Sequence, residues 1–418
     1  MNSLSFFLYL LFIGSWFIHL SARIPFLGSI RFDLLLVTAI LVTLINSNKS
    51  NILAFGSERS GKVLGILFFY CILSAPFVEW PGSVLNNIPN FIKAVVFYFF
   101  TVSLINSEKR LKIFIFVFLA VQSFRVFEPL YLHLTAGYWG SFASMSDSEF
   151  MNRLAGAPFD IINPNGLAFV IITVLPFLHY LSSLSLKWKV LYFLNLPMLI
   201  YALILTGSRS GMLGLLAILA GFIIKSIKKI LLIGIVSVCI LVVFANLSPE
   251  QSDRYLSLVD PSAKNRVTAE GRMTGLIGEF EVALRRPFFG HGLGTSLETN
   301  WNFLGEGLLS HNLYVEIAQE LGFIGLIIFL YYMGSIIQNL MSASSNLKKV
   351  TKGRSLLGSV LSATQIWLLM NIVFSFASFG LSRYAWYLLG GLCVVIQELT
   401  KKMEIIRSRE IAGDTIGN

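Results

Sequence analysis

Charge is scarce in this 418-residue sequence: Asp, Glu, Lys and Arg make up 13% of it, against 55% hydrophobic residues and a mean hydropathy of +0.74. Soluble domains carry roughly a quarter charged residues. A chain this apolar does not close into one water-soluble core, so lipid must solvate most of it. Cysteine is scarcer still. Cys71, Cys239 and Cys393 each sit inside an apolar run and lack metal-site spacing, which argues against a disulfide framework or a thiolate-held metal. No basic stretch accompanies the first apolar run, Met1 to Leu20, and more runs follow, so it reads as a retained first helix and not a cleaved signal peptide. No internal repeat is evident of the kind that many transporters are built from.

What is present is a series of apolar runs. A bilayer core needs roughly 17–25 apolar residues per helix. Twelve such runs are expected to span: 4–22, 30–46, 63–79, 88–106, 111–133, 163–183, 188–206, 210–226, 230–246, 313–339, 356–377 and 384–399. The expected fold is therefore an all-α integral membrane protein of about twelve helices. Its first part is 1–246 (spans 1–9, with an exterior loop at about 134–162), followed by a large, partly helical exterior loop at 247–312, spans 10–12 at 313–399 and a tail at 400–418. Within the large loop, Arg272 to Arg286 places Met273, Leu276, Ile277, Phe280 and Leu284 on one face before Pro287, as in a helix lying along the membrane surface.

The formal net charge of +10 comes from Lys and Arg in short clusters between the runs, with no basic stripe interleaved with aromatics, which excludes nucleic acid. Nineteen of the 32 fall in one set of connections with the C-terminal tail; of the thirteen others, six lie in the long 247–312 segment, where charge bias is a weak guide. The bias places both termini in the cytoplasm and both long polar segments outside it.

On the exterior side the polar candidates are few. His311 and Asn312 stand just before span 10, followed after nine residues by Gly322-Phe323-Ile324-Gly325. Between spans 7 and 8 lies Thr206-Gly207-Ser208-Arg209-Ser210-Gly211-Met212-Leu213. The large loop supplies Arg272 and Gly290-His291-Gly292-Leu293-Gly294, and the shorter one Arg153 and Asn163-Pro164-Asn165-Gly166. These residues resemble the O-antigen ligase and polymerase superfamily, whose ligases carry His, then Asn, Ser or Gln, nine residues and Gly-x-x-Gly, met here from His311 to Gly325. An Arg-x-x-x-Leu pattern is met by Arg209 and Leu213. The likeness extends to span architecture throughout, but its motifs concentrate between about 150 and 330.

The resemblance implies a periplasm-facing enzyme of a bacterial inner membrane. Its donor would be an undecaprenyl-diphosphate-linked glycan, and its acceptor a lipid A-core in a ligase or another repeat unit in a polymerase. Metal-independent, inverting transfer without a cofactor is likewise what the resemblance implies. Chemistry fits the residues to these tasks. A neutral His311 can take the acceptor proton, helped by a helix N-terminus that disfavours imidazolium. Arg209 and Arg272, with Arg153, can hold the diphosphate through bidentate guanidinium contacts. Asn312, Tyr314 and Glu316 are supporting candidates.

Plainer readings stand beside these. His311 reads alternatively as an interfacial histidine, Arg209 as a headgroup anchor, and Arg272 and Arg153 as solvated. His291 reads as a loop histidine, Gly290 to Gly294 as a flexible turn, and Asn163-Pro164-Asn165 as a helix start. Asp147 and Glu149 suggest a metal-holding pair, but their Ser-rich surroundings favour a solvated charge run. Glu316 and Glu320 either orient His311, line a cavity or face other helices. A transporter, such as a flippase for lipid-linked sugars, is the rival from another class; Lys93, Arg125 with Glu128, and Arg383 would support it.

Overall fold

The computed structural model describes residues 3–47, 58–144, 150–257, 260, 263–264, 266–305, 307, 310–350, 353–378 and 380–414; Asp147 and Glu149 lie outside these. Each of the twelve expected runs contains a helix. In chain order the helices are α1 (Ser3–Ile18), the short α2 (Leu20–Arg23) and α3 (Pro25–Ser29), α4 (Phe32–Ser47), α5 (Arg59–Leu73), α6 (Pro81–Leu104) and α7 (Glu108–Ala136). There follow α8 (Pro164–Leu181), α9 (Leu186–Leu205), α10 (Arg209–Lys225), α11 (Lys229–Ala245), α12 (Pro249–Leu256) and α13 (Arg266–Arg285). The last four are α14 (Ser296–Leu304), α15 (Leu313–Val350), α16 (Leu356–Ser375) and α17 (Tyr384–Asp414). Among the described residues, six helices are long and apolar enough to cross a membrane: α6, α7, α8, α9, α15 and α16. The chain is a multi-pass helical membrane protein.

Local chemistry sets where the helices begin. Ser107, Asn163, Ser185, Ser208 and Ser355 each precede an apolar run, and each side chain accepts a hydrogen bond from the backbone N–H three residues on. Such caps satisfy one of the donors that a helix start leaves open. The Asn163-Pro164 pair is thus the expected helix start.

In the core, α17 packs along α6 and α15, while α16 packs between α8 and α10. Trp367, Tyr98, Tyr332 and Tyr387 are fully buried there. At one end of the bundle the basic connections meet each other: Arg354 donates to Ser183 O, Lys349 pairs with Glu404, and Arg59 donates to Gln338. At the other end Gly207 lies between Met151 and Arg254 of the two long polar segments, and Phe376 O and Gly380 N bind Asn312 and Glu316.

Three features depart from the expectations. The 134–162 loop contains an antiparallel hairpin, β1 (Gly140–Ser144) with β2 (Phe150–Leu154), in a fold read as all-α. The final helix does not end at 399 but continues through the expected tail to Asp414. Span 10 is two helices, since α15 is broken at Gly322 (φ 68°, ψ −178°). That break frees carbonyls of the first segment: Gln319 O accepts from His291 N, Glu320 O from Gly292 N, and Leu321 O from Tyr70 Oη. Phe323 N in turn donates to Pro287 O at 2.7 Å. The 287–294 stretch is therefore clamped against the break and is not the flexible turn that its glycines suggest.

A side chain at Gly322 has no room. Its Cβ would lie 2.3 Å from Phe288 O, in a backbone region essentially reserved for glycine. Gly322→Ala is expected to lose on the order of 3 kcal/mol of stability, read as a clear fall in Tm of the detergent-solubilised protein. An unchanged Tm would contradict this account of the break.

The amphipathic helix is present as α13, and Pro287 follows its end. Met273, Ile277, Phe280 and Leu284 are exposed, Leu276 is half-buried, and Phe280 meets Phe323 edge-on.

Candidate active site

The Thr206-Gly207-Ser208 turn between α9 and α10 organises the site. Gly207 adopts φ 52°, which L side chains rarely do, and a Cβ there would press on Met151 and Arg254. The turn directs two carbonyls outward. Arg153 Nε, from β2, donates to Thr206 O at 2.8 Å, and Arg254 Nε, from α12, donates to Gly207 O at 2.7 Å. Ser208 caps α10 and donates its hydroxyl to Asn165 Oδ1, which also accepts from an Arg153 Nη at 3.0 Å. Arg209 opens α10 and donates to Ser257 Oγ at 3.0 Å, whose hydroxyl donates to Arg254 O.

Four guanidinium groups converge from four elements. Arg153, Arg209 and Arg254 are buried and Arg272 of α13 is half-buried. Burial, then the charges of Arg254 and Arg272, push Arg153 down to about 9; Tyr255 opposes this and Arg209 adds to it. Arg254 is lowered by burial and then by Arg272. Guanidinium holds its proton at physiological pH in any case, so these shifts register burial first and mutual repulsion second, and not neutral arginine. The acceptors that hold Arg153, a carbonyl and an amide oxygen, orient it without cancelling its charge. Arg272 makes no hydrogen bond among the described residues. Like charges gathered this way suit an anion of high charge density.

His311 stands beside this group. Burial, then the Arg272 charge, pulls its imidazole down to about 4, so the ring is neutral at ordinary pH. Desolvation is the larger of the two causes. Its ring nitrogens have no hydrogen-bond partner among the described residues, which leaves them available to a bound group.

The supporting candidates turn out to hold backbone. Asn312 Oδ1 accepts from Tyr314 N and Val315 N, capping α15, and its Nδ2 donates to Phe376 O. Tyr314 Oη donates to Ile372 O. Glu316 accepts from Gly380 N and Leu381 N, and Glu320 from Gly294 N and Ser296 N at the start of α14. Of the three readings open for these carboxylates, orientation of His311 is not the one seen. The nine residues of the motif form the half-helix between the Asn312 cap and the Gly322 break, so the spacing sets where His311 sits.

His291 is fully buried, with Nδ1 2.7 Å from Glu79 Oε2 and Nε2 donating to Val282 O, so it is a structural link. Glu279 of α13, two turns beyond Arg272, accepts from Ser310 Oγ at 2.7 Å and from Asn300. It thereby ties the residue preceding His311 to the helix that carries Arg272. Neither Glu279 nor Arg254 was singled out from the sequence. The capping box of Ser248 and Gln251 that starts α12 was the one local sign that Arg254 is on an ordered helix.

Residues 194–330, from within α9 to α15, match the family model described as O-antigen ligase. That segment carries Arg209, Arg254, Arg272 and His311. No curated protein matches the chain.

Proposed function

We propose, from the membership of the O-antigen ligase/polymerase superfamily that the match over residues 194–330 supports, that the chain transfers a glycan from a polyprenyl diphosphate to an acceptor hydroxyl at the periplasmic face of a bacterial inner membrane. The ligase-type acceptor, a lipid A-core, is favoured by the complete His311-to-Gly325 pattern. The observation that carries the reading is the meeting of four arginines with one neutral imidazole that has no hydrogen-bond partner among the described residues.

Arg153, Arg209, Arg254 and Arg272 bind the diphosphate oxygens and stabilise the charge that develops as the lipid leaves. His311 accepts the proton of the acceptor hydroxyl. The acceptor oxygen forms its bond to the anomeric carbon while the bond from that carbon to the diphosphate oxygen breaks. The electron pair departs with the polyprenyl diphosphate, and the proton rests on His311 until solvent removes it. In-line attack inverts the anomeric centre. Neither a metal nor a cofactor takes part in this scheme.

The scheme has a pH signature. A base works when deprotonated, so kcat/KM, which reports the free enzyme, should hold down to pH of about 4, where His311 takes its proton. A bound diphosphate offsets the Arg272 charge and raises the imidazole pKa. The acid limb of kcat, which reports the complex, is therefore expected at higher pH than that of kcat/KM. Coincident limbs, or a kcat/KM limb near the ordinary histidine value, would contradict the assignment.

A further inference from the structure

A second polar cluster lies on the other side of the α8 start from the arginines. Arg125, inside α7, places Nε and one Nη 2.6 and 2.9 Å from the two oxygens of Asp160, and donates its other Nη to Gln122 at 3.2 Å. Gln122 donates to Tyr384 Oη at 3.1 Å. Arg125 and Asp160 are only 5% and 2% exposed. This differs from the transporter reading, which paired Arg125 with Glu128; Glu128 instead binds Arg23. His19, in a left-handed backbone conformation (φ 57°), brings Nδ1 to 3.5 Å from Asp160 Oδ1, and that nitrogen is buried with no hydrogen-bond partner.

Arg125, Asp160, His19 and Tyr384 border a cavity of about 670 Å³, walled also by Arg383, Trp16, Phe17 and Tyr138. A narrower cavity of about 90 Å³ shares Arg125, Ile162, Gly166, Arg383 and Tyr384 with it and reaches Leu313, two residues past His311. Asn163 and Gly166 line the large cavity, while Asn165 between them binds Arg153 and Ser208. The two sites thus share one wall.

Their chemistry differs. In the arginine group like charges accumulate, whereas here Arg125 is matched by Asp160, and the second guanidinium of the lining, Arg383, feels the Glu316 carboxylate, so no phosphate is called for. What remains is spare acceptor capacity on Asp160, a His19 nitrogen with no hydrogen-bond partner among the described residues, a phenol and aromatic faces, in a volume typical of a small-molecule site. A polyhydroxylated, uncharged ligand fits such a lining. We infer that this cavity seats the terminal sugars of the acceptor saccharide and presents a hydroxyl towards His311 along the gap at Leu313. The inference rests on the transfer function proposed above. A core oligosaccharide and a glycan repeat unit share this chemistry, and experiment separates them.

The test is calorimetric titration of the full chain in nanodiscs, without donor. One arm uses delipidated lipopolysaccharide core oligosaccharide, the other a repeat-unit oligosaccharide released from its lipid. One of the two is expected to bind, and His19→Asn and Trp16→Leu are each expected to weaken that binding at least tenfold; asparagine tolerates the left-handed backbone at position 19. Thermal unfolding of both variants verifies the fold. Failure of both saccharides to bind, unchanged binding by the two folded variants, or loss of binding in Arg272→Ala alone would overturn the assignment. If the saccharide binds as expected but no glycosyl transfer occurs, the cavity stands as a sugar site and the proposed function fails.

Discussion

Replacing His311 by alanine is expected to lower kcat a hundred- to ten-thousand-fold, the usual contribution of a positioned general base, with donor KM nearly unchanged. The split follows from geometry. His311 lies on the segment that Asn312 and Ser310 fasten, to α15 and to Glu279 respectively, and those ties do not involve the ring. Removing the imidazole therefore leaves the arginines in place. A steady-state comparison with lipid-linked glycan as donor measures both parameters. A variant that loses donor binding and not turnover would mean that His311 positions the diphosphate and is not the base.

The second large effect concerns Arg272 and runs in opposite directions for activity and stability. Each charge-assisted hydrogen bond to phosphate is worth roughly 1.5–3 kcal/mol, so Arg272→Ala should raise donor KM about 10- to 100-fold. In the absence of donor the same change should stabilise the protein. Arg272 makes no hydrogen bond among the described residues, while Arg153, Arg209 and Arg254 feel its like charge. Relief of that repulsion, discounted for solvent screening of a half-buried group, is on the order of 1 kcal/mol, read as a higher Tm of the ligand-free variant. Activity and stability commonly oppose each other where a site is built for an absent charge. A variant that is both less active and less stable would indicate that Arg272 holds the fold together and has no special part in binding.

Why some of this was legible in the sequence and some was not has a physical basis. Apolar runs and capping serines reveal helices because both signals are local. Arg209 and His311 stand out because each is a polar residue at the edge of an apolar run. Arg153, though named as a candidate, and Arg254, which was not, lie in polar segments: an arginine there looks solvated until the partners that bury it are known, and those are the Thr206 and Gly207 carbonyls, about fifty residues away in each case. The break at Gly322 was equally hidden, since the Gly322 and Gly325 pair, though part of the motif, resembles ordinary helical glycines in an apolar run. Only the packing of Phe288 against it explains the backbone turn. Glu316 and Glu320 were open to misreading for a related reason. An ionisable group inside a span suggests chemistry, yet these two carboxylates cap backbone N–H groups of distant loops. The Arg125–Asp160 pair joins residues 35 apart and could not be paired by spacing.

The most direct test combines the purified chain with a labelled polyprenyl-diphosphate-linked glycan and a lipid A-core acceptor in detergent, with excess EDTA and no other protein. The expected result is a labelled glycan covalently joined to the acceptor, with one polyprenyl diphosphate released per bond formed. The contradicting result is a donor that stays intact, or one that the reconstituted protein merely moves across a vesicle membrane with its sugar–diphosphate bond unbroken.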